Sequence, residues 1–263
     1  MPKIGIIGGS GVYELISNPA YEKIDTEYGS PSDSISIGKI NGVEVAFIPR
    51  HGRRHIIPPH MVPYKANIEA LNILGVERII GINAVGSLNP DFKPGDFAIF
   101  GQFINFTSGR DDTFFNGPNV VHISTAEPYC PELREIAVDA AKEAKIKMHS
   151  NSTVIVINGP RFSTKAESKM FSAYADLINM THYPEIALAR EKAMCYLGIG
   201  IVTDYDAGLA GSEDIAPVTY EDVKSIFASS IEKLHLLIEK MLPSIGERKC
   251  NCKHALDNAK VSN

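Results

Sequence analysis

The chain has no basic excess, few cysteines and no long apolar run, and each shortage removes a class of function. Lys plus Arg number 26 against 31 Asp plus Glu, a formal net charge of −5 with His neutral. Nucleic-acid backbones and anionic membranes are held by an excess of Lys and Arg, so bulk binding to either is not expected, and any phosphate must be caught by a local site. Four cysteines in 263 residues, Cys130, Cys195, Cys250 and Cys252, are too few for a disulfide scaffold, and the cytoplasm is the expected compartment. No stretch approaches the ~20 apolar residues of a membrane span, and the short run after Met1-Pro2-Lys3 does not make a signal peptide. The expectation is therefore a soluble, untargeted protein. A P-loop of the form G-x-x-x-x-G-K-[ST] is missing, and so is G-x-G-x-x-G, which counts against a dinucleotide-binding domain. Gln102 is the sole glutamine, a hint of a hot habitat that the seven Met do not reinforce.

What is present reads as one globular domain. Charged residues make up 22% and hydrophobic residues 44%, with 21 Gly and 16 Pro, values that exclude a disordered or collagen-like chain. Short β-branched apolar runs predict strands over 4–7, 43–48, 78–82, 97–104, 153–157, 177–180 and 198–203, apolar on both faces as in a covered sheet. Helical periodicity predicts helices over 64–74, 131–146 (opened by Pro131), 185–197 and 219–242, the last with Thr219 and Asp222 as a capping box and Pro243 as its stop. The fold class expected is α/β, a single domain with a central mixed, mostly parallel sheet flanked by helices. The catalytic domain is expected over 1–245, with a polar tail over 246–263 that ends as a terminal helix or a frayed end.

Six segments carry chemistry. Gly5-Ile6-Ile7-Gly8-Gly9-Ser10-Gly11 runs a strand into a glycine turn with a hydroxyl, either an anion cradle or a plain tight turn. Arg50-His51-Gly52-Arg53-Arg54-His55 crowds three Arg and two His at a strand end; guanidinium forks suit phosphate oxygens and a neutral His adds a donor. His51 and His55 are four apart, but Gly52, Pro58 and Pro59 argue for a loop rather than a helix, and the neighbouring Arg would repel a metal cation. Asn83-Ala84-Val85-Gly86-Ser87 follows a strand, where open α/β sheets build sites. Asn158-Gly159-Pro160-Arg161-Phe162-Ser163 displays a Phe that could stack a flat ring or plug the core. Asn179-Met180-Thr181 ends one strand, and Thr203-Asp204-Tyr205-Asp206 ends another with two carboxylates, one of which can act as an acid near neutrality if its pKa is raised. An anion site, a flat apolar slot and a carboxylate pair suit transfer of a group from a heterocycle to phosphate.

On these segments the chain resembles the trimeric purine nucleoside phosphorylase family, and within it the 5′-methylthioadenosine phosphorylase branch of archaeal type. The resemblance runs from Gly5 to about Pro243 and rests on IGIIGGSG, PRHGRRH, PYKANIEAL, GSLNPDFKPGD, STAEPYCPELRE, NGPRFSTKAES, INMTHYPEIALARE and TDYD. It implies phosphorolysis of a purine nucleoside without metal or organic cofactor, inorganic phosphate being a co-substrate. It further implies a homo-oligomer, a trimer or a dimer of trimers. The phosphate ligands it implies are Ser10, Arg50, His51, Asn83, Thr181 and the backbone of Ala84; the branch more often has Thr at the positions of Ser10 and Asn83. Met180 is placed against the ribose and Phe162 with Ser163 against the base. Asp204 and Asp206 read the base, Asp204 also serving as the catalytic acid. His122 reaches a neighbour's 5′ pocket, and Tyr220 lies near a position that shapes that pocket.

An ionised carboxylate accepts from the 6-amino group of adenine and repels the oxygen of a 6-oxopurine. The expected substrate is therefore 5′-methylthioadenosine, with adenosine beside it. Ala207-Gly208 departs from the branch toward 6-oxopurine members, so an inosine, guanosine or methylthioinosine phosphorylase is the alternative, and a non-catalytic nucleotide-binding module the more distant one. The same resemblance, to members from hot habitats, implies that Cys250-Asn251-Cys252 and an internal Cys130–Cys195 pair can be oxidised; free thiols in a reducing cytosol are the competing expectation.

Overall fold

Alternating apolar residues in three neighbouring strands divide the interior in two. The computed structural model describes residues 1–9, 11, 13–209 and 218–261. Its elements in chain order are β1 (Ile4–Gly8), β2 (Ser17–Glu22), β3 (Ile35–Ile40), β4 (Val43–Pro49), α1 (Tyr64–Ile73), β5 (Arg78–Ser87), β6 (Phe97–Phe106), α2 (Pro131–Glu143), β7 (Met148–Ile157), α3 (Lys165–Phe171), β8 (Leu177–Asn179), α4 (His182–Glu191), β9 (Cys195–Asp204), α5 (Tyr220–Ser229) and α6 (Ile231–Met241). Ile6, Phe47 and Ile80 project to one face and meet Leu133 and Ala137 of α2 and Leu234 and Ile238 of α6. Ile7, Ile48 and Ile79, one residue along each strand, project to the other and meet Ile68 and Leu71 of α1 and Ile186 and Leu188 of α4. The period-two pleat of doubly buried strands thus builds a helix–sheet–helix sandwich.

The sheet order is β2-β3-β4-β1-β5-β8-β7-β6-β9, with β9 also pairing β5. That last pairing closes β5, β8, β7, β6 and β9 into a barrel, leaving β1 to β4 as a wing. Parallel pairs are β1–β4, β1–β5, β5–β9, β6–β7 and β7–β8; antiparallel pairs are β2–β3, β3–β4, β5–β8 and β6–β9. The sheet is mixed, as expected, with parallel pairs only slightly in the majority.

Several boundaries differ from the sequence reading. β2 and β3 were not expected: β2 is mostly exposed and contains Pro19, and Gly38-Lys39 breaks the apolar run of β3. The helix expected over 185–197 ends at Glu191, because Ala193 takes a left-handed φ of 53° and Cys195 to Leu197 already belong to β9. The long helix expected over 219–242 divides into α5 and α6. The hydroxyls of Ser229 and Ser230 both bond back to the Ile226 carbonyl at 2.9 Å, competing with the helical ladder and breaking it there. The capping box of Thr219 with Asp222 is present, and Thr164 with Glu167 forms a second one on α3, a helix not expected from the sequence.

The tail is neither a helix nor frayed over 246–261. A 3-10 turn at Asn251–His254 is followed by a bridge between Lys260 and Val121. Arg248 donates to the carbonyls of Glu77 and Ala193, fastening the tail to the sheet. No helix among the described residues is long and apolar enough to cross a membrane.

Candidate active site

β4 leads into Arg50, which is 2% exposed and reaches β1, β5 and α4. Its Nε donates to Glu185 Oε2 at 2.7 Å and its Nη2 to Glu185 Oε1 at 2.8 Å, a two-pronged buried ion pair. Nη2 also reaches the Ile7 carbonyl at 3.4 Å, and Nη1 donates to the Ile82 carbonyl at 2.7 Å. A guanidinium has five N–H donors, so one on Nη1 remains for a ligand. The fork expected to grip phosphate is instead closed on Glu185. Tyr196 donates to Glu185 as well, and Gly81 makes room for that hydroxyl, since a Cβ there would lie 1.9 Å from it. Burial alone would lower the Arg50 pKa, but the Glu185 charge more than offsets it and holds the guanidinium charged.

His51 follows on the same turn. Its Nδ1 lies 2.8 Å from the Ile57 carbonyl, which can only accept, so the proton is on Nδ1. Burial pushes the imidazole pKa down to about 4. A neutral ring whose N–H is taken presents Nε2 as an acceptor, the reverse of the donor expected from the sequence. The His51 and His55 rings stack at 4.6 Å between centroids rather than converging on a common point.

β5 and β8 meet beside this pair. Asn83 is 2% exposed; its amide donates to the Gly81 carbonyl at 3.1 Å and more weakly to Ile199, while its Oδ1 has no partner. Asn179 crosses from β8 to donate to the Ala84 carbonyl at 2.9 Å, and its Oδ1 accepts from the backbone N–H of Thr181 and of His182, both at 2.7 Å. That side chain sets the start of α4 and with it the Thr181 hydroxyl, which is buried. Arg110 donates to the Met180 carbonyl at 2.7 Å, to the Asn158 carbonyl at 2.9 Å and to the Tyr183 carbonyl, tying together the two loops that carry Met180 and Phe162. Gly159 has a φ of 63° and packs on Met180, whose sulfur would lie 2.5 Å from a Cβ.

The carboxylates close the far side. Asp204 ends β9, accepting from Thr203 Oγ1 and from the Asp206 backbone N–H, each at 2.7 Å. Burial raises its pKa despite those two bonds. Asp206 is 3% exposed with a left-handed φ of 50°, and burial raises its pKa too. The Ser168 and Ser163 hydroxyls face it closely enough to oppose that rise, yet Asp206 Oδ2 and Ser163 Oγ have no hydrogen-bond partner. Gly86 of β5 is pressed against this pair: a Cβ there would lie 2.9 Å from Asp204 Oδ1 and 3.4 Å from Asp206 Cβ. Phe162, beside Ser163, is 37% exposed, which removes the core-plug reading and leaves its ring available.

Residues 3–243 match the phosphorylase superfamily. The chain is 54% identical over 257 residues to the S-methyl-5′-thioadenosine phosphorylase of Pyrococcus abyssi, covering 97% of this chain and 98% of that one. It is 45% identical over 259 residues to a Dictyoglomus turgidum protein named "probable 6-oxopurine nucleoside phosphorylase", covering 97% and 96%. Among solved structures, a methylthioadenosine phosphorylase from an antarctic soil metagenomic library has a TM-score of 0.92 and 39% identity, covering 100% of this chain and 93% of that one. The chain belongs to the phosphorylase superfamily.

In this phosphorylase the structure groups Arg50, His51, Met180, Thr181, Asp204, Asp206 and Ser163 about one end of the sheet, while Asn83 and Ala84 lie inside β5, paired with Gly200 and Ile201, and not in a segment that follows the strand. Ser10 lies outside the described residues. His122 is exposed, its N–H bonded to the Ala259 carbonyl on the tail, and it has no described contact with the carboxylate pair. Tyr220 opens α5 and is 55% exposed. Sequence reasoning passed over Glu185, Tyr196 and Arg110. Glu185 sits inside a helical pattern, and only the observation that a buried helix face carries a carboxylate would have flagged it.

Proposed function

We propose that this phosphorylase cleaves the N-glycosidic bond of 5′-methylthioadenosine, and of adenosine, with inorganic phosphate. The products are adenine and the sugar 1-phosphate. The observation that carries this reading is the buried Asp204–Asp206 pair standing beyond the strand ends that hold Arg50, His51 and Thr181. The relatives named for methylthioadenosine supply the substrate. The one Nη1 hydrogen of Arg50 left without a partner and the Thr181 hydroxyl, whose bond to Asn179 Oδ1 is long at 3.4 Å, are the donors available to a phosphate oxygen. His51 Nε2, an acceptor, fits the one P–OH of hydrogenphosphate. As the C1′–N9 bond breaks, its electrons pass to the purine, the sugar becomes cationic, and a phosphate oxygen bonds to C1′. Asp204, whose pKa burial raises, acts as the acid that gives a proton to purine N7, so the base leaves neutral. Phe162 and Met180 flank base and ribose. No step uses a metal or an organic cofactor.

The reading includes a homo-oligomer, a trimer or a dimer of trimers, in which the exposed His122 serves a neighbouring site. A second reading, phosphorolysis of 6-oxopurine nucleosides, is favoured by the raised pKa of both carboxyls: a protonated Asp donates to O6. Initial rates on methylthioadenosine, adenosine and inosine, with and without phosphate, test both. Methylthioadenosine turnover that requires phosphate supports the first reading, faster inosine cleavage supports the second, and phosphate-independent base release refutes both.

A further inference from the structure

All four cysteines meet at one place, although they come from three distant parts of the chain. Cys130 caps α2, Cys195 opens β9, and Cys250 and Cys252 lie on the tail. Their sulfurs all lie within 4.8 Å of one another, Cys195 and Cys250 at 3.3 Å, and all four are free thiols. Cys130, Cys195 and Cys252 are buried. Four thiolates around zinc at about 2.3 Å form a tetrahedron with edges of roughly 3.8 Å, so the sulfur separations suit one shared ion. A disulfide needs sulfurs at about 2.05 Å.

We propose that Cys130, Cys195, Cys250 and Cys252 form a tetrathiolate site for a divalent cation of zinc type. Binding replaces four S–H protons with one metal ion, leaving a cluster of net charge −2. The shell around it is built for that arrangement. Glu132 Oε2 accepts from the backbone N–H of Lys249 and Cys250 at 3.3 and 3.2 Å, and Arg78 joins Glu132 to the Gly246 carbonyl, which together hold the tail over the cluster. Arg78, paired with Glu132, and Arg248 lie beside the tail and fix its course over the four sulfurs. The tail is gripped again beyond the cluster by the Val121–Lys260 bridge. A C-x-C pair on a clamped tail, facing two core thiols, delivers four soft ligands from three sides, the donor set that favours zinc over oxygen-seeking cations. Cys195 and Asp204 are the two ends of β9, roughly 30 Å apart at strand rise, so the ion is structural and takes no part in the phosphorolysis proposed above.

The test uses the full chain purified anaerobically with an excess of reductant. Elemental analysis is expected to find about one zinc per chain, and metal-free protein titrated with Co²⁺ is expected to develop thiolate charge-transfer and tetrahedral d–d absorption saturating at one equivalent. Cys252→Ser is expected to lose at least tenfold in zinc affinity and to change the cobalt spectrum, while retaining kcat at moderate temperature. Should that variant fail to fold, the wild-type stoichiometry and spectrum decide alone. Reduced protein with four titratable thiols that takes up no equimolar zinc overturns the proposal. So does an intact mass four hydrogens short, with no metal, which would mean that the thiols pair as two disulfides instead.

Discussion

Replacing Asp204 by Asn separates the chemistry from the fold. The carboxylate accepts from the Asp206 N–H through Oδ1 and from the Thr203 hydroxyl through Oδ2, both at 2.7 Å. An Asn carbonyl in the Oδ1 position keeps the first bond. Its amide in the Oδ2 position meets a hydroxyl that can rotate, accepting from the amide and turning its own hydrogen to the Val85 carbonyl, 3.2 Å away. Asn thus costs little in hydrogen bonding, and it removes the group whose charge burial opposes. The linkage is explicit: the folded state binds the Asp204 proton more tightly than the unfolded chain does, so this residue weakens the fold as pH rises from the unfolded pKa through the raised folded one. Asp204→Asn should therefore change the stability at pH 7 by no more than about 1 kcal/mol, or raise it, a shift of a few degrees in Tm. It should lower kcat for methylthioadenosine by ~10²–10⁴, about 3–5 kcal/mol of barrier, the usual contribution of a general acid. The amide donates to O6, so kcat/KM for inosine relative to methylthioadenosine should rise. Steady-state kinetics and thermal unfolding on the same preparation decide the matter. A kcat within threefold of wild type, or unchanged relative kcat/KM for the two bases, refutes the assignment of the acid, and a large drop in Tm refutes the hydrogen-bond argument.

Three further substitutions probe the surroundings. Glu185→Gln leaves Arg50 charged and buried without its partner, which should cost about 3–5 kcal/mol, read as a fall of roughly 6–20 °C in Tm together with a higher KM for phosphate; an unmoved Tm would show that the pair is not coupled to the fold. Gly86→Ala puts a methyl 2.9 Å from both Asp204 Oδ1 and Ile178 Cγ2; displacing the acid by a fraction of an ångström should lower kcat tenfold or more, with the far-UV spectrum retained, and wild-type kcat would remove the steric argument. His51 binds its proton less tightly folded than unfolded, so it weakens the fold as pH falls from 6.5 toward about 4, by about 3 kcal/mol in all. Urea unfolding of His51→Gln across that range should show a shallower loss than wild type, and parallel curves would mean that the imidazole is not buried neutral.

The elements legible in the sequence are those whose periodicity reflects burial on both faces. β1, β4 and β5 are rich in Ile, Val and Ala, so their cores are legible, and Gly8 and Arg50 stand at strand ends as the sequence implies; Asn83 does not, because β5 runs on through it to Ser87. Edge strand β2 is not legible, because its mostly exposed residues leave no alternation to read. The break at Ser230 was hidden because the apolar face continues through it, while the hydroxyl back-bonds that cause it are not an apolar signal. Within the site, residue types were legible and donor directions were not. Arg50 was read as a fork for phosphate, yet a helix 135 residues later supplies the carboxylate that takes the fork. His51 was read as a donor, yet the Ile57 carbonyl takes its proton. Both corrections come from asking where each hydrogen goes, which needs the tertiary partners.

Those partners also fix the electrostatics of the proposed reaction. The Arg50 charge is matched by Glu185, His51 is neutral at physiological pH, and burial favours protonated forms of Asp204 and Asp206. Among the described residues assigned to phosphate, the one cation, Arg50, is thus matched by a carboxylate. A dianion bound there is oriented by hydrogen bonds but is not quenched by a bare guanidinium. Its charge remains available, in a medium of low dielectric, to face the positive charge that develops at C1′, where Coulomb attraction is several times stronger than in water. On this argument the co-substrate is itself the main stabiliser of the cationic sugar, and the buried Glu185 contributes by keeping Arg50 from competing for that charge. Glu185→Gln should then do more than loosen phosphate: at saturating phosphate kcat should still fall, because the unbalanced guanidinium draws on the dianion that the transition state needs. A kcat that recovers fully at saturating phosphate would show that Glu185 only shapes the binding pocket.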